Sequence, residues 1–230
     1  MVLSDMGLTA LHSEYSRSRQ PAAMLAMTPT YRPPESDLEG NVISRSYDIW
    51  TLGCLFMETM IWHLDGFEWL FQFSQERLTS DVTGCKKPTY FDIKEFKGAS
   101  VGAAAHTASI KVEVLKYFEK IRNHPKCTQF VLDVIEIVQD EMIIVRRANN
   151  DRITSSRLEA KIASIHSRCQ RSDSYVCNTA NAPRGISDPV HVEVVLGQHV
   201  LDNMRMANFR LQAHVGKTEK SISREELART

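Results

Sequence analysis

The chain has 230 residues, of which 43% are hydrophobic and 24% charged, a composition ordinary for one or two globular domains. Lys plus Arg and Asp plus Glu both number 28, so the formal net charge is zero and no global field draws the protein to nucleic acid or to an anionic membrane. The longest apolar stretch, Ile49 to Trp62, is interrupted by Thr51, Glu58 and Thr59 and falls short of the ~20 apolar residues that a bilayer crossing needs.

Met1 to Asp5 has neither a basic region nor a sustained apolar core, so an intracellular location, cytoplasmic or nuclear, is expected. Residues 1 to 44 are rich in Ser, Arg, Pro and Thr, and Pro21, Pro29, Pro33 and Pro34 exclude a long regular element. From Ser46 the pattern changes. Tyr47 to Trp62 is apolar nearly all round, which predicts a central helix buried on most sides. Gly66, Gly84, Pro88, Gly98 and Gly102 divide residues 63 to 105 into what read as loops and short helices.

Three amphipathic helices follow. The first places Ile110, Val114, Leu115, Phe118 and Ile121 on one face. The second, with Pro125 in its first turn, turns Phe130, Val131, Val134, Ile135, Val138 and Met142 inward and Asp133, Glu136 and Asp140 outward. The third starts near Thr154 and buries Leu158, Ile162 and Ile165. Periodicity fades after Arg171. A weakly structured tail is expected over 171–230, with His191 to Leu196 able to form a short strand and a capping box at Ser223 and Glu226. The five cysteines include no Cys-x-x-Cys pair and read as reduced thiols.

Four local strings occur in one order: Asp5-Met6-Gly7, then Thr28-Pro29-Thr30-Tyr31-Arg32-Pro33-Pro34-Glu35, then Asp48-Ile49-Trp50-Thr51-Leu52-Gly53, then Asp151-Arg152-Ile153-Thr154. Each is weak alone. An Asp-x-Trp-x-x-Gly thirteen residues after Pro-Glu, at the head of an apolar helix, is hard to obtain by chance. From roughly residue 2 to 170 the chain resembles the C-terminal lobe of a eukaryotic-type serine/threonine protein kinase, entered at the Asp-Phe-Gly motif. The wording around Tyr31 to Trp50 is similar to a group of fungal kinase-domain proteins.

The resemblance implies a mainly α, kinase-like C-lobe. It would be a partial domain over 1–170, with an activation segment at 5–35 and a helical core at 45–170. Asp5 would be the Mg²⁺ ligand and thereby bind ATP, since carboxylate oxygens suit a hard cation bridging phosphates. Gly7 would give the adjoining hinge its freedom, and Met6 would fill the slot of the usual Phe. Thr28 would stand beside the substrate pocket, though Met27 replaces the usual glycine before it. Ser13, Ser16 and Ser18, near Arg17 and Arg19, offer hydroxyls whose phosphorylation would order such a segment. Glu35 and Arg152 would form a buried ion pair tying that segment to the core. Asp48 would accept backbone N–H groups, and Trp50 and Gly53 would complete the structural motif.

The catalytic parts before Asp5 are absent. No His-Arg-Asp with a following Asn, no Gly-x-Gly-x-x-Gly loop and no Val-Ala-x-Lys strand occurs, and Gly216-Lys217-Thr218 has Leu211 where a phosphate loop needs Gly. The leading expectation is a serine/threonine kinase family member acting on protein hydroxyls, present as a C-lobe that does not phosphorylate by itself and leaves part of the Tyr47 helix uncovered. The alternative is a non-catalytic, pseudokinase-like module that binds a protein partner. A third reading is an unrelated helical protein with chance motifs.

Overall fold

The apolar run that begins at Ile49 is built into a 32-residue helix, α1 (Arg45–Glu76). The computed structural model describes residues 20–21, 30–38, 42–43, 45–80, 85–95, 106–146, 151–197 and 200–202. Around α1 come α2 (Val112–Arg122), α3 (Gln129–Ile137) continued by a π turn (Val138–Met142), α4 (Ser155–Arg171) and the short α5 (Asp173–Cys177). The strands are β1 (Gln20–Pro21), β2 (Val42–Ile43), β3 (Thr79–Ser80), β4 (Lys86–Lys87), β5 (Phe91–Glu95), β6 (His106–Ile110) and β7 (Val192–Val194). β1 pairs with β2 and β3 with β4; β5, β6 and β7 form one antiparallel sheet in that order. The described chain is thus mostly helical with small antiparallel sheets.

Trp50, Cys54, Met57, Ile61 and Leu64 recur at the spacing of one helix face and are all buried. That stripe makes α1 the spine against which α2, α3 and the π turn pack. The opposite face is open, with Leu55 44% and Trp62 58% exposed. Burial on most sides is therefore corrected to burial on one face.

Among the described residues of 63–105, the helical piece after Gly66 fits the expected short helices, whereas the pairing of β5 departs from the expected loops. Gly66 takes φ 76° and ψ −163°, a conformation essentially reserved for glycine, so α1 is two helical parts that meet at a kink there. The helix resumes to Glu76, and β5 then opens a hairpin with β6 in the register Phe91 to Ile110 through Glu95 to His106.

The three later helices lie near their sequence positions. Pro125 precedes α3 rather than opening it: Thr128 is the N-cap, its side chain accepting from Val131 N at 3.4 Å. Thr154 caps α4 in the same way through Arg157 N.

Residues 171–197 and 200–202 carry more regular structure than a weakly structured tail. β7 completes the sheet, the bridge from Leu196 to Leu38 and the bond from Gly197 N to Asp37 O (2.8 Å) fasten it to the 34–38 turn, and Val194, Leu196 and Val200 are buried in the common core. The capping box at Ser223 lies outside the described residues.

Candidate functional site

Three stretches distant in sequence meet at the head of α1. A 3-10 turn (Pro34–Asp37) presents Glu35, the first turns of α1 present Ser46 and Trp50, and the approach to α4 presents Arg152. Pro33 and Pro34 set the backbone entering the turn, and Ser36 N closes it on Pro33 O at 3.1 Å. Ile153 N bonds Glu141 O at 2.9 Å, which draws the Arg152 segment back along the end of the π turn.

The structure brings Glu35 and Arg152 together across 117 residues. Arg152 Nη1 donates to Glu35 Oε1 at 2.5 Å and Nη2 to Oε2 at 2.9 Å, a two-pronged match of planar groups. Nη1 also donates to Ser46 O (2.9 Å) and Nε to Ile144 O (3.2 Å). The guanidinium lies 4.8 Å from the centroid of the Trp50 ring, which itself meets Phe91 edge-on. Both charged side chains are buried, so the bonds answer the desolvation each charge suffers.

Gly53 lets the π turn approach. A Cβ there would stand 2.9 Å from Met142 Cβ and 3.1 Å from Ile143 Cγ1. Asp48 departs from its expected role. Because α1 begins at Arg45, Asp48 sits in the fourth helical position, too far inside to cap the helix. Its carboxylate is on the exposed side, accepts no hydrogen bond among the described residues, and is raised in pKa by what burial it has.

A second polar junction was not singled out from the sequence. Glu58 Oε2 accepts from Tyr31 OH at 2.8 Å, while Oε1 accepts from Tyr90 OH at 2.7 Å and from Arg77 Nη1 and Nη2 at 3.1 and 3.2 Å. The Arg77 guanidinium lies 4.4 Å from the Phe73 ring centroid and 4.0 Å from that of Tyr90. Burial, reinforced by Glu58, pushes the Tyr31 phenol up to about 12 and the Tyr90 phenol well above its ordinary value. Burial likewise drives the Cys54 thiol well up. The one signal available in advance was Glu58 itself, a carboxylate inside an apolar run. Behind this junction Lys111 Nζ, fully buried, donates to Arg77 O (2.8 Å) and Lys87 O (2.7 Å), 3.6 Å from Asp92 Oδ1.

Asp5, Gly7 and Thr28 lie outside the described residues, as does most of the 5–35 segment. Among the described residues no group of three or more His, Cys, Asp or Glu side chains comes together to hold a metal ion, so nothing described fits the implied Mg²⁺ and no step is assigned to it. No described helix is long and apolar enough to cross a membrane, and no disulfide joins any of the five cysteines. Comparison with protein-family models, curated proteins and solved structures returns no match.

Proposed function

We propose that this chain is the distal part of a protein serine/threonine kinase domain, whose family chemistry is transfer of the ATP γ-phosphoryl group to a protein hydroxyl, and that its described residues are the support for a substrate-positioning segment. The observation that carries this reading is the buried Glu35–Arg152 pair seated on Trp50. Three of the four ordered strings contribute a side chain to it.

Phosphoryl transfer depends mainly on positioning and charge stabilisation. The residues present serve the first. Glu35 and Tyr31 fix both ends of the stretch immediately after Thr28, one to Arg152 and one to Glu58, and Thr51 Oγ1 donates to Tyr31 O at 3.3 Å. The clamp on the nucleotide and the proton-accepting Asp have no counterpart in the sequence. ATP and Mg²⁺ therefore belong to the complete family domain, and the 230-residue chain by itself is inert toward them.

Titration calorimetry of the isolated chain with Mg²⁺-ATP should show no binding, and incubation with γ-labelled ATP and a generic Ser/Thr protein substrate no transfer; either signal overturns inertness. The family reading is tested separately, by sequencing the transcript upstream of the Met1 codon. An in-frame Gly-rich loop, strand Lys and His-Arg-Asp are expected, and an unrelated coding stretch sinks the reading.

One observation favours the second reading, a non-catalytic module that binds a protein partner. Leu55, Trp62, Phe67 and Phe71 are all exposed on α1, with the last two rings stacked at 6.3 Å. Exposed apolar side chains that adjoin one another, as Phe67 and Phe71 do, mark contact surfaces. An in-frame stop directly upstream of Met1 favours this reading over the first.

A further inference from the structure

A cleft of about 390 Å³ opens where the end of α4, the short α5 and the chain after it meet the first turn of α3. It shares no residue with the Glu35–Arg152 pair or the Glu58 junction, so it is independent of the kinase reading. Two guanidiniums line it, Arg168 and Arg171, and among the described residues no carboxylate does. Arg168 is held in place: it ion-pairs through Nη1 with Asp133 and lies 4.9 Å from the centroid of the Tyr175 ring. Asp133 also accepts from Tyr175 OH at 2.5 Å and from Gln129 Nε2 at 2.8 Å, and Tyr175 is only 8% exposed, so the arrangement is anchored in the core. Arg171 is exposed and has neither a hydrogen bond nor an ion pair among the described residues. Asp173 lies exposed outside the lining, where water and salt screen it. Ser172 Oγ and Ser174 Oγ share one hydrogen bond at 2.7 Å, which leaves one hydroxyl hydrogen to donate, and the side chains of Asn178 and Thr179 have no partner among the described residues. Hydroxyls and amides donate and accept alike, so they do not choose the charge of a ligand. The guanidiniums do, because they only donate.

We propose that this cleft binds the phosphate group of a small phosphomonoester. A guanidinium fork matches phosphate oxygens in pairs, and a dianion with three terminal oxygens engages both arginines and leaves an oxygen for the hydroxyl and amide donors. A carboxylate offers two oxygens and a single charge, and an ammonium group would meet two cations. Because Asp133 and Tyr175 already hold Arg168, part of the ordering cost of binding is met before the ligand arrives. The size agrees. At ~30 Å³ per water the cleft has room for about thirteen water molecules, within the ~300–1,000 Å³ of small-ligand sites. The Tyr175 ring and Ala180, also in the lining, offer apolar contact to the organic part of the ester.

The test is a ¹H–¹⁵N correlation titration of the full chain with phenyl phosphate, benzoate and benzylammonium at pH 7.5, where the ester, with a second pKa of ~6, is a dianion. Saturable shifts are expected at the backbone amides of Arg171 to Tyr175 and of Asn178 to Ala180, with phenyl phosphate about fivefold or more tighter than benzoate and benzylammonium unbound. Arg171→Gln, at an exposed side chain that the fold does not use, should weaken phenyl phosphate by about fivefold. Arg157→Gln, which removes the same charge from the other end of α4, should leave the affinity unchanged. Benzoate or benzylammonium binding as tightly as phenyl phosphate, equal weakening by the two arginine variants, shifts confined to other surfaces, or no shift at tens of millimolar phenyl phosphate each overturn the proposal. Nα-acetyl-O-phosphoserine N-methylamide separates two sources of the same chemistry. Binding comparable to phenyl phosphate supports a phosphoseryl side chain as occupant, and weaker binding, with phenyl phosphate still bound, supports a free small phosphomonoester.

Discussion

Two arginines buried to nearly the same degree illustrate how much a guanidinium depends on its partners. Arg152 is 4% exposed and hydrogen-bonds Glu35, Ser46 O and Ile144 O; Arg122 is 1% exposed, and its Nε and Nη2 have no hydrogen-bond partner among the described residues. Removing one member of a buried pair leaves the other charge uncompensated, at a cost of about 3–5 kcal/mol. Arg152→Ala should therefore lower unfolding free energy by that amount, whereas Arg157→Ala, on the exposed first turn of α4, should stay within about 0.5 kcal/mol of the parent. Equal melting shifts for the two would remove the energetic basis for treating Glu35–Arg152 as a clasp. Arg122 should behave in the opposite sense. Burial lowers its pKa and Arg184 adds to the effect, against the pull of Asp140, Glu119 and Glu136, and an apolar side chain of similar length escapes both penalties. Arg122→Met should be neutral or stabilising by about 1 kcal/mol in urea unfolding, and a loss above ~2 kcal/mol would show that the guanidinium has compensation beyond these groups.

At the scale of elements, two glycines of α1 test two different constraints. Gly53→Ala would set a Cβ 2.9 Å from Met142 Cβ; the neighbour is held close to its own backbone, so overpacking of about 1–3 kcal/mol should exceed the ~1 kcal/mol gained in helix propensity. Gly66→Ala meets no atom within 4 Å, yet its backbone conformation should cost about 1–3 kcal/mol. Urea midpoints decide both, and a Gly66→Ala variant as stable as the parent would mean that α1 straightens at no cost. These positions also show what the sequence could convey. The 3.6-residue spacing of apolar side chains located α1 to α4 because each buries one stripe, and Gly66, which reads as a breaker, does interrupt α1 at a kink. The β5–β6 hairpin is hard to read for a physical reason: Phe91 to Lys94 and Thr107 to Ile110 alternate apolar with polar for only four residues each, and Asp92, Thr107 and Ser109 are buried beside their apolar neighbours, so neither strand has a polar face turned to water. β7 is legible in Val192, Val194 and Leu196, while its docking on β6 is a long-range fact that spacing cannot carry. Of the candidate site, Glu35 and Arg152 were reached only through the resemblance, since no periodicity links residues 117 apart. The Glu58 junction is not legible in the sequence because its partners come from three separate stretches of chain, and Asp48, in the fourth position of α1, lies too far inside to cap that helix.

For the molecule as a whole, zero net charge says little about pH dependence, because individual burial decides it. Burial raises the phenols of Tyr31, Tyr47, Tyr90, Tyr117 and Tyr175, Tyr31 to about 12, and the Cys127 thiol to about 11. An unfolded tyrosine ionises near 10. Above that pH the folded chain therefore holds protons that the unfolded chain has released, and stability must fall as pH rises. The phenols' contribution is intact below pH 10 and is lost as pH climbs through 12, while the Cys127 thiol's is lost from about 8.5 to about 11. Lys111 opposes this trend: burial lowers its pKa despite Asp92, so its penalty is lifted as pH rises past that lowered value. One lysine stands against five phenols, and the sum remains destabilising. Asp48, raised by burial, acts only at the acid end, where stability falls slightly as pH rises through its titration. The expected outcome is a urea midpoint nearly level from pH 7 to 8, falling gently from about 8.5 as the two buried thiols lose their contribution and steeply between 10 and 12 as the phenols lose theirs. Phenolate absorbance should lag behind pH until unfolding and then rise with it, because the folded core withholds most of its tyrosines from ionisation. A level midpoint to pH 12, or full phenolate absorbance near pH 10 in a chain still folded by circular dichroism, would show that water reaches the Glu58 junction and the aromatic packing around Phe73 far more freely than their burial implies.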